Sequence, residues 1–269
     1  MRIRAGYEIT YDCPAPTPMI LMLSVRPERL GDLVTPQTMS VEPPLAAHDY
    51  RDGFGNLCSR LVAPEGHTVF SADFVIEDSG RPDEVDREAV QHAVEDLPDE
   101  LLPYLLATRY CETDRLSDMA WSLFGATPPG WARVQAIADY VHRRILFGYE
   151  HASPMKSAYD VHAERQGVCR DFAHLAITLT RCMNIPARYI TGYLGDIGVP
   201  PVEAPMDFSA WCEVWLGGRW RTLDARHNKP RIGRIPMAYG RDAADCAIVT
   251  NFGPAELSGF KVITEEITA

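Results

Sequence analysis

The chain has 269 residues, 46% of them apolar and 23% charged, with a formal net charge of −11 at pH 7. That length can bury a substantial core, and the acidic balance with no basic stripe argues against nucleic acid or an anionic membrane as partner. Residues 1–8 alternate polar and apolar without the apolar centre of a signal peptide, and no segment reaches the ~18 apolar residues of a membrane span, so the cytoplasm is the expected compartment.

Two domains are expected, an N-terminal β-domain over 1–80 and a core over 81–269. In the first, alternation at Ile3, Ala5, Tyr7, Ile9 and Tyr11, an apolar run from Met19 to Val25 and the stretch Thr68 to Ile76 read as antiparallel strands. Between them lie many prolines and Asp52-Gly53-Phe54-Gly55-Asn56, which read as turns and loops. His48 and His67 are isolated, and metal sites need clustered ligands, so neither is assigned chemistry. Residues 81–100 are acidic and polar and read as a solvated interdomain connection. A helix is expected from Thr113 or Asp114 toward Phe124, and Pro128-Pro129-Gly130 breaks the chain after it. A second begins near Trp131, with Val134, Ile137, Ala138, Val141 and Ile145 as its core stripe. A short helix from Ser157 to Arg165 leads to Gly167, to which the spacing assigns a left-handed reversal.

The most informative feature follows in Gly167-Val168-Cys169-Arg170-Asp171-Phe172. Apolar residues recur at Phe172, Leu175, Ala176, Leu179, Cys182 and Met183, the spacing of a helix with one buried face. Cys169 then falls on its first turn, where unpaired N–H groups and the dipole are expected to lower the thiol pKa and to hold a developing oxyanion. Acyl transfer is the chemistry implied. The competing reading is a small buried hydrophobe, since free cysteine is among the most buried residue types. The seven cysteines (13, 58, 111, 169, 182, 212, 246) are scattered, with no Cys-x-x-Cys pair, so no disulfide framework or zinc site is signalled. No P-loop and no Gly-x-Gly-x-x-Gly run stands between a strand and a helix, so no cofactor is expected.

Beyond this helix, Ala187 to Tyr193 reads as a strand, and residues 195–206, rich in Gly and Pro, as a loop bordering the site. Phe208 to Leu216 and Arg219 to Asp224 form a hairpin around Gly217-Gly218. Leu216 then faces Arg219, Trp211 faces Asp224 and Ser209 faces Arg226, with Ser209 diagonal to Asp224 within about 7–8 Å. Trp211 and Trp215 are expected either to wall the cleft or to pack within the sheet.

The run Gly-Val-Cys-Arg-Asp-Phe-Ala-His-Leu, with Ile185-Pro186-Ala187-Arg188-Tyr189 and Thr191-Gly192-Tyr193 after it, resembles the bacterial transglutaminase-like cysteine protease superfamily. The resemblance covers about residues 131–228, and the first 80 residues look like the β-rich region that often precedes this core. It implies an α+β fold with a papain-like core, in which the helix carrying the cysteine packs on an antiparallel sheet. It also implies a nucleophilic cysteine served by a histidine on the first hairpin strand and an aspartate on the second. Asp224 keeps the aspartate position, but Ser209 stands where the family has histidine before Ala-Trp. Serine is no base for a thiol near neutral pH.

Three arrangements are then open. His227 can supply the imidazole if the chain curls after Asp224, although strand alternation points it to the other face. His174 lies five residues along a helix from Cys169, about 140° around and ~7.5 Å along the axis. Or no histidine serves, and the helix terminus with Arg170 and Arg188 holds a thiolate, or the cleft only binds. Ser209 as a nucleophile lacks a Gly-x-Ser-x-Gly elbow. The leading expectation is hydrolysis of a peptide or isopeptide amide through a Cys169 thioester, with Ser209, Asp224 and His227 as its other site residues. A silent peptide- or protein-binding module is the alternative. Animal transglutaminases use calcium, but no Asp-x-[Asp/Asn]-x-[Asp/Asn]-Gly loop is present, so no metal is carried over.

Overall fold

The computed structural model describes residues 1–203 and 205–267. Its strands are antiparallel apart from one short pair, and a single buried helix anchors the second half. The first sheet has the order β14-β1-β6-β3, from β1 (Arg2–Cys13), β3 (Ser40–Glu42), β6 (Gly66–Glu77) and β14 (Glu256–Glu266). The second is β13-β2-β5-β4, from β2 (Thr17–Leu21), β4 (His48–Arg51), β5 (Leu57–Ala63) and β13 (Val249–Asn251). Alternation does what the sequence requires: Ile3, Ala5, Tyr7 and Ile9 of β1 point inward and share one apolar core with Met19, Leu21, Leu61, Phe70 and Phe74. The region expected as loops thus holds three further strands, β3, β4 and β5.

The last two strands, expected with the core, are hydrogen-bonded into the N-terminal sheets. β14 pairs with β1 from Ile3↔Glu266 to Asp12↔Glu256, and β13 pairs with β2. The acidic connection is also more than a solvated face, because Asp83, Glu84 and Asp86 pair with Arg234, Arg219 and Arg221.

The core half holds α1 (Thr113–Phe124), α2 (Trp131–Arg144), α3 (Ala158–Glu164) and α4 (Cys169–Cys182) around the sheet β11-β10-β9-β12. Its strands are β9 (Ala187–Tyr193), β10 (Ser209–Leu216), β11 (Arg219–Leu223) and β12 (Ile235–Gly240). A short parallel pair joins β7 (Leu146–Phe147) to β8 (Gln166–Gly167). Helix α4 packs across β10 and β9, with α1, α2 and α3 against it. This is the α+β, papain-like arrangement that the sequence implies. Phe208, Tyr193, Ile235 and Met237, on or beside the central sheet, also enter the N-terminal core, so both halves share apolar surface.

One local expectation needs correcting at the start of α4. Arg165, not Gly167, takes the left-handed conformation that ends α3, at φ 60°. Gly167 serves close approach instead: a Cβ there would lie 2.6 Å from the Oδ2 of Asp171, which accepts the Val168 N–H at 2.9 Å. That bond satisfies a donor at the mouth of the helix and fixes where Cys169 begins it.

Candidate active site

Cys169 is only partly buried, whereas the other six cysteines are buried, and all seven are free. It lines a cavity of about 460 Å³ together with Phe147, Tyr149, Ser209, Arg226 and His227. The loop after β9 forms the opposite wall through Asp196, Val199, Pro200, Val202 and Met206, as its length suggested; Ala204 lies outside the described residues.

The hairpin adopts the expected register, with Leu216 opposite Arg219 and Cys212 opposite Leu223, around Gly217 and Gly218 at φ 59° and 80°. Strand β11 ends at Leu223, one residue before Asp224, and this decides where His227 goes. Asp224 Oδ1 accepts the N–H groups of Arg226 and His227, each at 3.1 Å, and its carbonyl accepts the Asn228 N–H at 2.8 Å. These bonds wind residues 224–228 into a turn, so strand alternation no longer applies. His227 returns to the side of Asp224, with Nδ1 2.9 Å from Oδ2. Helix α2 secures the turn, since Gln135 and Asp139 bond the Asn228 side chain at 3.0 and 2.8 Å.

Asp224 is also tied to Arg234, whose Nη2 donates to Oδ2 at 2.8 Å. The Arg234 Nε donates to both oxygens of Asp83, at 2.9 Å each, and its guanidinium lies over the Trp211 ring. Burial pushes the Asp224 carboxyl up, but the His227 hydrogen bond and the Arg234 charge outweigh it and hold the group well below the usual carboxylate range. Asp224 is therefore an anion able to orient an imidazole. Nothing in the sequence pattern singles out Arg234 or Asp83, because the pair is distant in sequence and forms only in the fold.

At Cys169 the expected sign is reversed. Burial pushes the thiol up to about 11, with Asp207 adding to the rise, against the pull of Arg226 and of the Ala210 and Arg170 N–H groups. Desolvation thus outweighs the helix terminus. Arg188 is not part of this balance: it pairs with Glu213 at 2.5 Å and stacks on Trp220 and Tyr239. Arg170 turns toward the Ser153 carbonyl, and its nearby cation is replaced by Arg226, which sits over Phe147.

His174 is fully buried, sandwiched by Tyr110 and Tyr189, and its Nε2 accepts the Ala243 N–H at 3.1 Å. Burial holds it well below its ordinary pKa, so it is a neutral core residue. Ser209 opens β10, pairs with Gly192 and is 5% exposed, with Oγ lacking a hydrogen-bond partner among the described residues. Trp211 is buried in the sheet and Trp215 stacks edge-on against Trp220; neither lines the cavity. No cluster of metal-ligating side chains occurs among the described residues.

The family described as the transglutaminase-like superfamily matches residues 119–225, which include Cys169, Ser209 and Asp224. A protein of Cytophaga hutchinsonii, named a "putative cysteine protease", has 30% identity and a TM-score of 0.84, covering 100% of this chain and 91% of its own. The chain belongs to the transglutaminase-like superfamily. Uncharacterized Mycobacterium tuberculosis protein Rv2569c is similar as well, 27% identical over 77% of this chain and 72% of its own. A Mycobacterium leprae protein, uncharacterized ML0607, shares 34% identity over 93 residues, and the match spans a third of that protein's length. In this transglutaminase-like chain Cys169 and Asp224 stand where the sequence resemblance expects the cysteine and the aspartate. The position expected to hold histidine carries Ser209, while an Asp-paired histidine stands three residues past Asp224.

Proposed function

We propose that the protein is a thiol acyl-transfer enzyme that hydrolyses a peptide or isopeptide amide, with Cys169 as nucleophile and His227 as base. One observation carries this reading: His227, bonded through Nδ1 to Asp224, lines the same cavity as Cys169. Asp224 fixes Nδ1 and so leaves Nε2 as the nitrogen that can take a proton. A thiol whose pKa is about 11 is protonated at neutral pH, so its proton must leave as sulfur attacks. In the first step Nε2 takes the thiol proton while sulfur bonds to the carbonyl carbon. The C–N bond then breaks, and the amine leaves with that proton. Water next attacks the thioester, again deprotonated by Nε2. The C–S bond breaks, the acid departs and the proton returns to sulfur. In this reading the Cys169 N–H, in the first turn of α4 where backbone donors lack helical partners, binds the oxyanion. The free cysteines support a reducing compartment, the cytoplasm. Among the described residues no helix is long and apolar enough to cross a membrane.

The raised thiol pKa favours a second reading, a cleft that binds a peptide or partner protein without turnover. Labelling with a thiol-directed electrophile across pH separates the two. Dominant labelling of Cys169 near neutral pH, lost in His227→Ala, supports the enzyme. Labelling no faster than a free thiol supports the binding module. In the companion variant, hydrolysis that appears only in Ser209→His shows that the natural chain lacks a working base.

A further inference from the structure

The cavity beside Cys169 carries more cationic charge than its own carboxylates engage. Its anions are largely committed. Asp196 accepts the Val202 N–H at 2.8 Å and faces Arg231 at 3.8 Å, and the Glu150 side chain is 74% exposed to solvent. Asp207 is pushed up by burial, although the Phe208 N–H and Arg226 pull it back. The cations are not matched in the same way. Among the described residues, neither Arg226 nor Lys229 lies within ion-pair distance of a carboxylate. Arg226 rests its guanidinium on the Phe147 ring, 3.9 Å from the centroid, which leaves its edge for a ligand. It is close enough to Cys169 to stabilise the thiolate. Ser209 lines the same cavity, and among the described residues its buried Oγ has no hydrogen-bond partner, an uncommon state in a residue only 5% exposed. A planar guanidinium, a lysine and an unsatisfied hydroxyl around a reactive sulfur form a receptor for a carboxylate.

We propose that the acyl donor carries a free carboxylate near the scissile amide, as a glutamyl or aspartyl residue does, and that Arg226 and Lys229 bind it while Ser209 hydrogen-bonds the same residue. The inference rests on Cys169 being the nucleophile. The apolar wall of Val199, Val202 and Met206 takes the aliphatic part of that residue.

The charge preference can be read with matched reagents, iodoacetate and iodoacetamide, reacting with Cys169 in the full chain beside N-acetylcysteine. The iodoacetate-to-iodoacetamide rate ratio is expected to exceed that of N-acetylcysteine by about tenfold, the effect of a cation a few ångströms away in a partly wet site. It should fall toward the N-acetylcysteine value in Arg226→Gln and part-way in Lys229→Gln, whose exposed position spares the fold. A ratio equal to that of N-acetylcysteine in the natural chain overturns the carboxylate site while leaving the nucleophile intact. If Cys169 resists both reagents, the nucleophile reading fails, and binding to Cys169→Ala decides the site instead. N-acetylglutamate binding more tightly than N-acetylglutamine, with the difference lost in Arg226→Gln, supports it; equal binding overturns it.

Discussion

Replacing Asp83 by Asn tests whether the connecting segment supports the site through Arg234. The side chains of Arg234 and Asp83 are 8% and 15% exposed, and two contacts of 2.9 Å join them. Asn keeps the volume and one acceptor but loses the charge. A hydrogen bond to a charged group contributes about 1.5–3 kcal/mol, so the loss should be about 2 kcal/mol. With ~2.1 cal/mol/K of unfolding entropy per residue, that lowers Tm by about 3–4 °C in a chain of this length. Arg234→Met should cost more, about 3–5 kcal/mol, because it also leaves the buried Asp224 without its cation. Asp224 is held below its unfolded pKa, so the stability it contributes is present above about pH 4 and fades as pH falls below that value. Arg234→Met raises the folded pKa toward the unfolded one and should reduce that acid-dependent stability. Circular-dichroism melts at pH 7 and pH 3.5 measure both effects. An unchanged Tm in Asp83→Asn, or equal losses in the two variants, would refute the chain of support from Asp83 through Arg234 to Asp224.

Three other outcomes follow from the geometry. In His227→Ala, Cys169 alkylation at neutral pH should fall, leaving a rate that rises about tenfold per pH unit toward the thiol pKa of about 11; an unchanged neutral-pH rate would remove His227 as base. Burial raises Cys111 and Cys169 to about 11 and Cys182 to about 12, so stability should fall as pH climbs from about 9 through those values. The loss approaches about 1.4 kcal/mol per pH unit for each thiol, and urea melts at pH 8 and pH 10.5 would show it. Gly192→Ala puts a Cβ 2.2 Å from the Ile235 carbonyl oxygen and 3.0 Å from Trp211, so it should cost about 1–3 kcal/mol or more by pushing β12 from β9, read by the same melts.

Much of the site's frame was legible because its signals are local. The apolar spacing from Phe172 to Met183 located α4, and the Gly217-Gly218 pair set the hairpin register. His227 was harder to place, since its position depends on β11 stopping at Leu223 and on Asp224 capping the turn with its own carboxylate. A side chain's choice between strand and turn is made by tertiary bonds, here from Gln135 and Asp139, that no short window contains. The rise of the thiol pKa was hidden for a related reason: helix position is visible in sequence, but the desolvating surroundings that the fold packs around the sulfur are not. In the N-terminal half, β14 was missed because its exposed, charged residues and Gly259 hide the alternation that β1 shows plainly.

The pairing of β14 with β1 has a consequence for biosynthesis. Strand β1 is held between β6 and a neighbour that is synthesised long after both. Until residues 256–266 emerge, that side of β1 stays an open edge, a template for pairing with other chains. Translation of β14 therefore covers that edge of β1, and a chain stalled before it would be prone to aggregate.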